Sequence, residues 1–212
     1  PTMNYGSKNL PWYQGIDLLG SWHMAFMKYF VDSIPWHNMS TRNGTNGIVT
    51  WSDDGNLTDI QKPLVRADSG EQIVLAYLPR ELPFNAFVPG NYSSSGEIRG
   101  LTANSYTAEW YNPRSGKFTL IDYALKPTNG KWSIPLKPDV EDLVLWINAN
   151  PIGTLDSIAN GVVYGWALHP SYPESQVEIH VYIDGAYPQG TFIGNAYTDT
   201  VRDDVNSAYA VE

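Results

Sequence analysis

Carboxylates and aromatic rings are the side chains of this sequence whose types and spacing could do chemistry. The acids fall as Asp53/Asp54, Glu71, Glu97, Glu109, Asp139/Glu141/Asp142 and Asp203/Asp204. Hydrolysis of a glycosidic bond needs two carboxyl groups about 5–10 Å apart, flanking the scissile bond. Most of these acids sit in turn-like segments or at strand ends, where solvated surface acids are the expected reading. Glu109 alternates with Trp110, so a buried Trp110 turns Glu109 outward. Asp53-Asp54-Gly55-Asn56 has the residue types of a calcium loop but lacks the EF-hand spacing and its distal Glu. His23 lies beside an apolar stripe and reads as a packed or capping residue, with neither a triad nor a metal set around it. Nucleophile-elbow, zinc-protease, phosphate-loop and dinucleotide signatures are missing. The expectation is no catalytic residue, no metal and no cofactor on this chain.

The rings carry more information. With 8 Trp and 14 Tyr but only 17% charged residues, the composition suits a β-rich secreted protein that uses rings for packing, for sugar stacking, or for both. Trp110, Trp146 and Trp166 stand in strongly apolar strand contexts and are expected in the core. Trp36, Trp51 and Trp132 stand near element ends among polar neighbours. These three are the ligand-stacking candidates, because an exposed indole face can desolvate the C–H face of a pyranose. Tyr92, Tyr172 and Tyr187, in Gly-, Ser- and Pro-rich loops, are similar candidates.

The net charge of −9 argues against a duplex nucleic-acid partner or an anionic membrane. Cysteine is absent, which excludes a disulfide scaffold and thiolate metal sites. No run of about 18 apolar residues exists, so no membrane-spanning helix is expected. The chain opens at Pro1 without an initiator Met or signal peptide and is read as a fragment of a larger protein. The Asn-x-Ser/Thr triplets at Asn38, Asn43, Asn56 and Asn91 matter only in a eukaryotic secretory route.

These side chains need elements to position them. Residues 1–15 read as loop. From Ile16 to Ile34 the period turns helical, with Ile16, Leu19, Trp22, Phe26, Phe30 and Ile34 on one stripe that Met27 and Val31 widen. Pro35 stops it. The stripe is too wide and too aromatic for a solvent-exposed helix, so it must lie against a sheet or a further domain. Short strands follow at Ile48–Trp51, Pro63–Asp68, Glu71–Leu78, Phe84–Val88, Gly96–Leu101, Ser105–Tyr111, Phe118–Tyr123, Gly130–Ile134 and Leu143–Asn148. Turns every eight to twelve residues predict an antiparallel β-sandwich or barrel. At its centre, Asn112, Pro113 and Gly116 supply the side-chain acceptor, the fixed φ and the positive-φ position of a hairpin turn, anchored by Trp110. After a linker-like Asn150–Thr154, strands at Val162–Ala167, Gln176–Ile183 and Thr191–Ala196 make a second, partial β-module with a thin core. The domains are thus expected at 1–47, 48–150 and 151–212.

Residues 63–148 resemble the small β-sandwich domains named for collagen binding, at the C-terminal end of bacterial glycoside-hydrolase-like (β/α)8 proteins. The matching words are V-R-A-D-S-G-E-Q-I-V-L-A-Y-L-P (Val65–Pro79), A-E-W-Y-N-P-R-S-G-K (Ala108–Lys117) and W-S-I-P followed by D-L-V-L-W-I (Trp132–Ile147). The family usually has Asp where this chain has Asn112, which keeps the turn and removes an acid. Residues 16–38 look like the last helix of the preceding barrel and its exit segment. Residues 154–205 look like a small extracellular module marked by Gly165-Trp166-Ala167 and a terminal R-D-D-V. The resemblance implies a bacterial, extracellular or cell-surface setting and a mainly β chain with one N-terminal helix. It also implies a preceding (β/α)8 catalytic domain as partner, whose carboxylates lie on strands this chain lacks.

The expected function is that of a non-catalytic accessory region that braces the barrel of a secreted glycoside hydrolase and helps hold polysaccharide. The alternatives are an adhesion module for a glycan or matrix protein and, more remotely, a self-contained glycoside hydrolase.

Overall fold

The computed structural model describes residues 2–5, 8–11, 19–43, 47–51, 58, 61–80, 96–139, 141–172, 174–185 and 187–209. The chain is mainly β, 47% strand against 14% helix, with several antiparallel sheets and one helix near the N-terminus. It divides into two compact units, residues 1–148 and 149–212.

The first unit opens with a hairpin of β1 (Thr2–Tyr5) and β2 (Lys8–Pro11). This corrects the expectation of loop over residues 1–15: Pro11 stands at the last position of β2, where it ends the strand rather than preventing it. Helix α1 (Leu19–Asp32) follows. It closes three residues before Pro35, with the Ser33 hydroxyl donating to the Phe30 carbonyl at 2.7 Å. Lys28 and Asp32 pair at i, i+4 on its exposed face. A 3-10 turn, Trp36–Asn38, leads to the two-residue strand β3 (Ser40–Thr41).

Eight further strands complete the sandwich with β3: β4 (Val49–Trp51), β5 (Leu64–Ala67), β6 (Ile73–Leu78), β7 (Gly96–Arg99), β8 (Tyr106–Asn112), β9 (Lys117–Leu125), β10 (Lys131–Ile134) and β11 (Leu143–Ala149). One sheet has the order β3-β5-β6-β11-β8-β9 and the other β10-β7-β4. The predicted strand at Phe84–Val88 and the Asp53–Asn56 turn lie outside the described residues.

Register decides which residues make the core. Pairing of Val65 with Ala76, Leu145 with Ala76, and Ile147 with Val74 puts these side chains on one face of the six-stranded sheet. All are 3% exposed or less. In the three-stranded sheet, Ile98 and Ile134 share the inward face, while Glu97 and Ser133 alternate outward. Glu97 there accepts from Arg99 at 2.6 Å.

The six-stranded sheet is covered on its other face too. Leu64, Leu75, Tyr77, Val144 and Trp146 point there by the same registers. Helix α1 lies on this face. Phe30 stacks on Tyr111 with ring centroids 4.2 Å apart and meets Trp146 edge-on at 6.1 Å. The Tyr111 hydroxyl donates to the Phe26 carbonyl at 2.7 Å.

In the second unit, β12 (Ile152–Ala159) pairs with β13 (Val162–Leu168), and β14 (Glu178–Ile183) pairs with β15 (Thr191–Tyr197). Helix α2 (Asp203–Tyr209) closes it. Strand β12 replaces the linker expected at Asn150–Thr154. Arg202 holds the start of α2 through Asp204 at 2.7 Å and Asp156 at 3.1 Å.

Candidate functional site

Several described acids of the first unit are paired with basic side chains. Arg114, in the β8–β9 turn, lies 3.3 Å from Glu141 and 3.7 Å from Asp139. Arg80 approaches Glu141 at 3.9 Å, and its backbone N–H donates to Asp142 at 2.7 Å. Glu71 meets Arg42 at 3.2 Å. The Arg99 hydrogen bond holds the Glu97 carboxyl below its ordinary value. Glu109 shares the helix-bearing face with Tyr111, and partial burial pushes its carboxyl up. Among the described residues, no group of three or more His, Asp or Glu could hold a metal ion. No described helix is long and apolar enough to cross a membrane.

Local sequence explains why Arg114 is presented here. Asn112 Oδ1 accepts from the Arg114 N–H at 2.9 Å, and the Asn112 carbonyl accepts from Ser115 and Gly116 at 3.2 and 2.9 Å. Gly116 takes φ +67. A Cβ there would stand 2.8 Å from the Phe26 ring, so the turn tip and the middle of α1 touch closely. Pro113 and Trp110 complete the motif, Trp110 being buried.

This contact divides the helix. Phe30 and Ile34, C-terminal to it, are buried. Leu19 and Trp22, N-terminal to it on the same stripe, are 71% and 57% exposed. Met24 and Tyr29 are exposed as well. The apolar stripe therefore runs on past the part of the helix that meets the sheet.

The three ring candidates do not form one site. Trp36 is half-exposed, sits edge-on to His37 and lines an apolar groove of about 370 Å³. Phe30 and Ile34 wall that groove on the helix side, and Leu64, Leu75 and Tyr77 on the sheet side. Its charged member, Arg66, donates to the Met39 carbonyl at 2.6 Å. The groove thus lacks the convergent polar groups that orient a small ligand. Trp132 stands opposite Ile98 in the three-stranded sheet and is half-buried on that inward face. Trp51 pairs with Gly96 at the end of β4, and its side chain lies outside the described residues, as does Tyr92. Tyr172 packs edge-on to His169 at 4.8 Å.

Tyr187, the third loop candidate, belongs to a ring cluster in the second unit whose other members, His180, Tyr182 and Phe192, were not singled out from the sequence. Tyr182 approaches Phe192 at 5.5 Å and Tyr187 at 6.0 Å, and Phe192 approaches His180 at 5.6 Å. The alternation Glu178, His180, Tyr182 was its signal, masked by the aliphatic alternation of Ile179 and Val181 between them.

No family model matches the sequence, and no curated protein does. Among solved structures, the chain is similar to one titled "Glycoside hydrolase", with a TM-score of 0.47 and 14% identity. The match covers 69% of this chain and spans 30% of the length of that one.

Proposed function

We propose that residues 1–148 are a bracing domain for the (β/α)8 catalytic domain of a secreted bacterial glycoside hydrolase, of the kind whose C-terminal sandwich is named for collagen binding. The observation that supports this reading is the run of exposed apolar side chains on α1 beyond the hairpin tip. Leu19 and Trp22, neighbours on one side of the helix, expose apolar surface of the kind that marks a docking face. Arg114, Glu141 and Arg80 would form a polar rim beside it, in the usual arrangement of an apolar centre with charged margins. Catalysis would belong to the partner domain, and this chain would supply rigidity.

The test is to introduce Leu19→Ser and Trp22→Ala both into the 212-residue chain and into the full gene product. The isolated chain should melt as before. The catalytic domain of the full product should lose a few degrees of melting temperature, for about 1–2 kcal/mol of lost packing. Unchanged melting of the full product, or an upstream sequence with no barrel, would sink the reading.

A second reading, a glycan or matrix-protein binding module, draws on the half-exposed Trp36. Affinity electrophoresis with Trp36→Ala, Trp51→Ala and Trp132→Ala tests it. Turnover of glycosides by the chain alone, abolished by a single carboxylate substitution, would instead support a self-contained hydrolase.

A further inference from the structure

We propose that the outward face of the β14–β15 hairpin is a binding strip for a neutral polysaccharide chain. This extends the carbohydrate reading above to a separate site in the second unit. The hairpin has two unlike faces. Ile179 and Val181 point one way and are half-buried. Glu178, His180 and Tyr182 point the other way. Tyr182 pairs across the ladder with Phe192, His180 with Asn195, and Glu178 with Tyr197. A register shift between Val181 and Tyr182 brings Phe192, rather than Ile193, opposite Tyr182. Three cross-strand rows span about 14 Å of strand, longer than a single sugar ring.

One end of the strip is aromatic. Tyr187 is 75% exposed and Phe192 53%, both against the half-buried Tyr182. Exposed rings are commonly scattered singly over a protein surface, whereas contiguous exposed apolar patches mark interaction sites, so the cluster points to an occupant. The other end is polar and already ordered. Asn195 donates to Glu178 Oε1 at 2.6 Å, and His180 Nε2 lies 3.3 Å from the same oxygen. The Tyr197 hydroxyl also bonds Glu178.

Charge selects the class of occupant. Residues 176–197 contain Glu178 and Asp184 but no Lys or Arg. A sulfated or uronic chain, like a nucleic acid, would meet uncompensated like charge. A neutral glycan is complementary: its C–H faces cover the rings, and its hydroxyls donate to the carboxylate and exchange bonds with the amide.

The experiment is affinity electrophoresis of the 212-residue chain through gels holding a soluble neutral glucan, a xylan, a galactomannan or a sulfated glycan. Retardation in at least one neutral gel is expected. Tyr187→Ala and Phe192→Ala should each weaken it about tenfold. Phe192→Trp should retain it, and so should Tyr123→Ala, an exposed ring of the first unit. A thermal melt of each variant separates loss of binding from loss of the hairpin. No retardation in any neutral gel, retardation indifferent to both alanine substitutions, or preference for the sulfated chain would overturn the proposal. The docking test reads residues 19–22 and the second-reading test reads Trp36, Trp51 and Trp132. Either can fail while this strip binds, and the reverse.

Discussion

Lys137, in the connection between β10 and β11, is fully enclosed. Its ammonium donates to the carbonyls of Pro79 and Glu141 at 3.0 and 2.9 Å, tying the end of β6 to the β10–β11 connection. Burial, with a smaller push from Arg114, lowers it to about 8 against the upward pull of Asp142, Asp139 and Glu141. The unfolded chain holds this proton up to its ordinary value of 10.5, whereas the folded chain releases it from about 8. Between those values the unfolded state binds more protons, so this group's contribution to stability rises with pH. Below pH 8 both states are charged, and the folded one bears the full desolvation cost. Denaturant titrations at pH 7, 9 and 10 should show wild type gaining on Lys137→Met as pH rises, by at most about 3 kcal/mol. A gap that narrows with pH would contradict this account. The neutral amine keeps two N–H donors, so both carbonyls stay bonded in alkali.

Among elements, the β8–β9 hairpin and α1 show what local sequence can and cannot reveal. Turn chemistry is local, so Asn112, Pro113 and Gly116 could be read directly as a turn. Gly116→Ala forces a side chain to φ +67 and into the Phe26 ring, and should cost about 1–3 kcal/mol in a urea melt. Asn112→Asp keeps the acceptor and should change little. Helical periodicity, by contrast, marks an apolar stripe without saying how much of it meets a sheet. Phe30→Ala should cost about 3 kcal/mol, since Phe30 is buried on Tyr111 and Trp146. Trp22→Ala should cost under about 0.5 kcal/mol in the same chain. Equal losses would mean that the exposed end of the stripe is also packed. Strand β12 escaped sequence reading because Gly153 and Asp156 interrupt its apolar alternation. Its partner explains the glycine: a Cβ at Gly153 would stand 2.5 Å from the Trp166 carbonyl oxygen, and one at Gly165 2.4 Å from that of Thr154.

For the whole molecule, the two units differ in how much they bury. Strands β6 and β11 carry most of the fully enclosed aliphatic side chains, whereas Leu168 and Val205 are the buried large apolar residues described beyond residue 149. Amide hydrogen exchange should therefore protect residues 73–78 and 143–148 well above residues 152–168 and 178–197. Uniform protection would contradict this. A thin core in residues 151–212 could be anticipated from strand count, but the pairing of acids with Arg114 and Arg80, and of Asp156 with Arg202, could not, because it joins residues distant in sequence. Strand β11 has one further consequence. It carries Trp146 beneath Phe30 and, a few residues on, leads out of the first unit. A pull applied to the start of α1 and resisted beyond residue 149 would pass through that ring contact into a central strand, bypassing the turns.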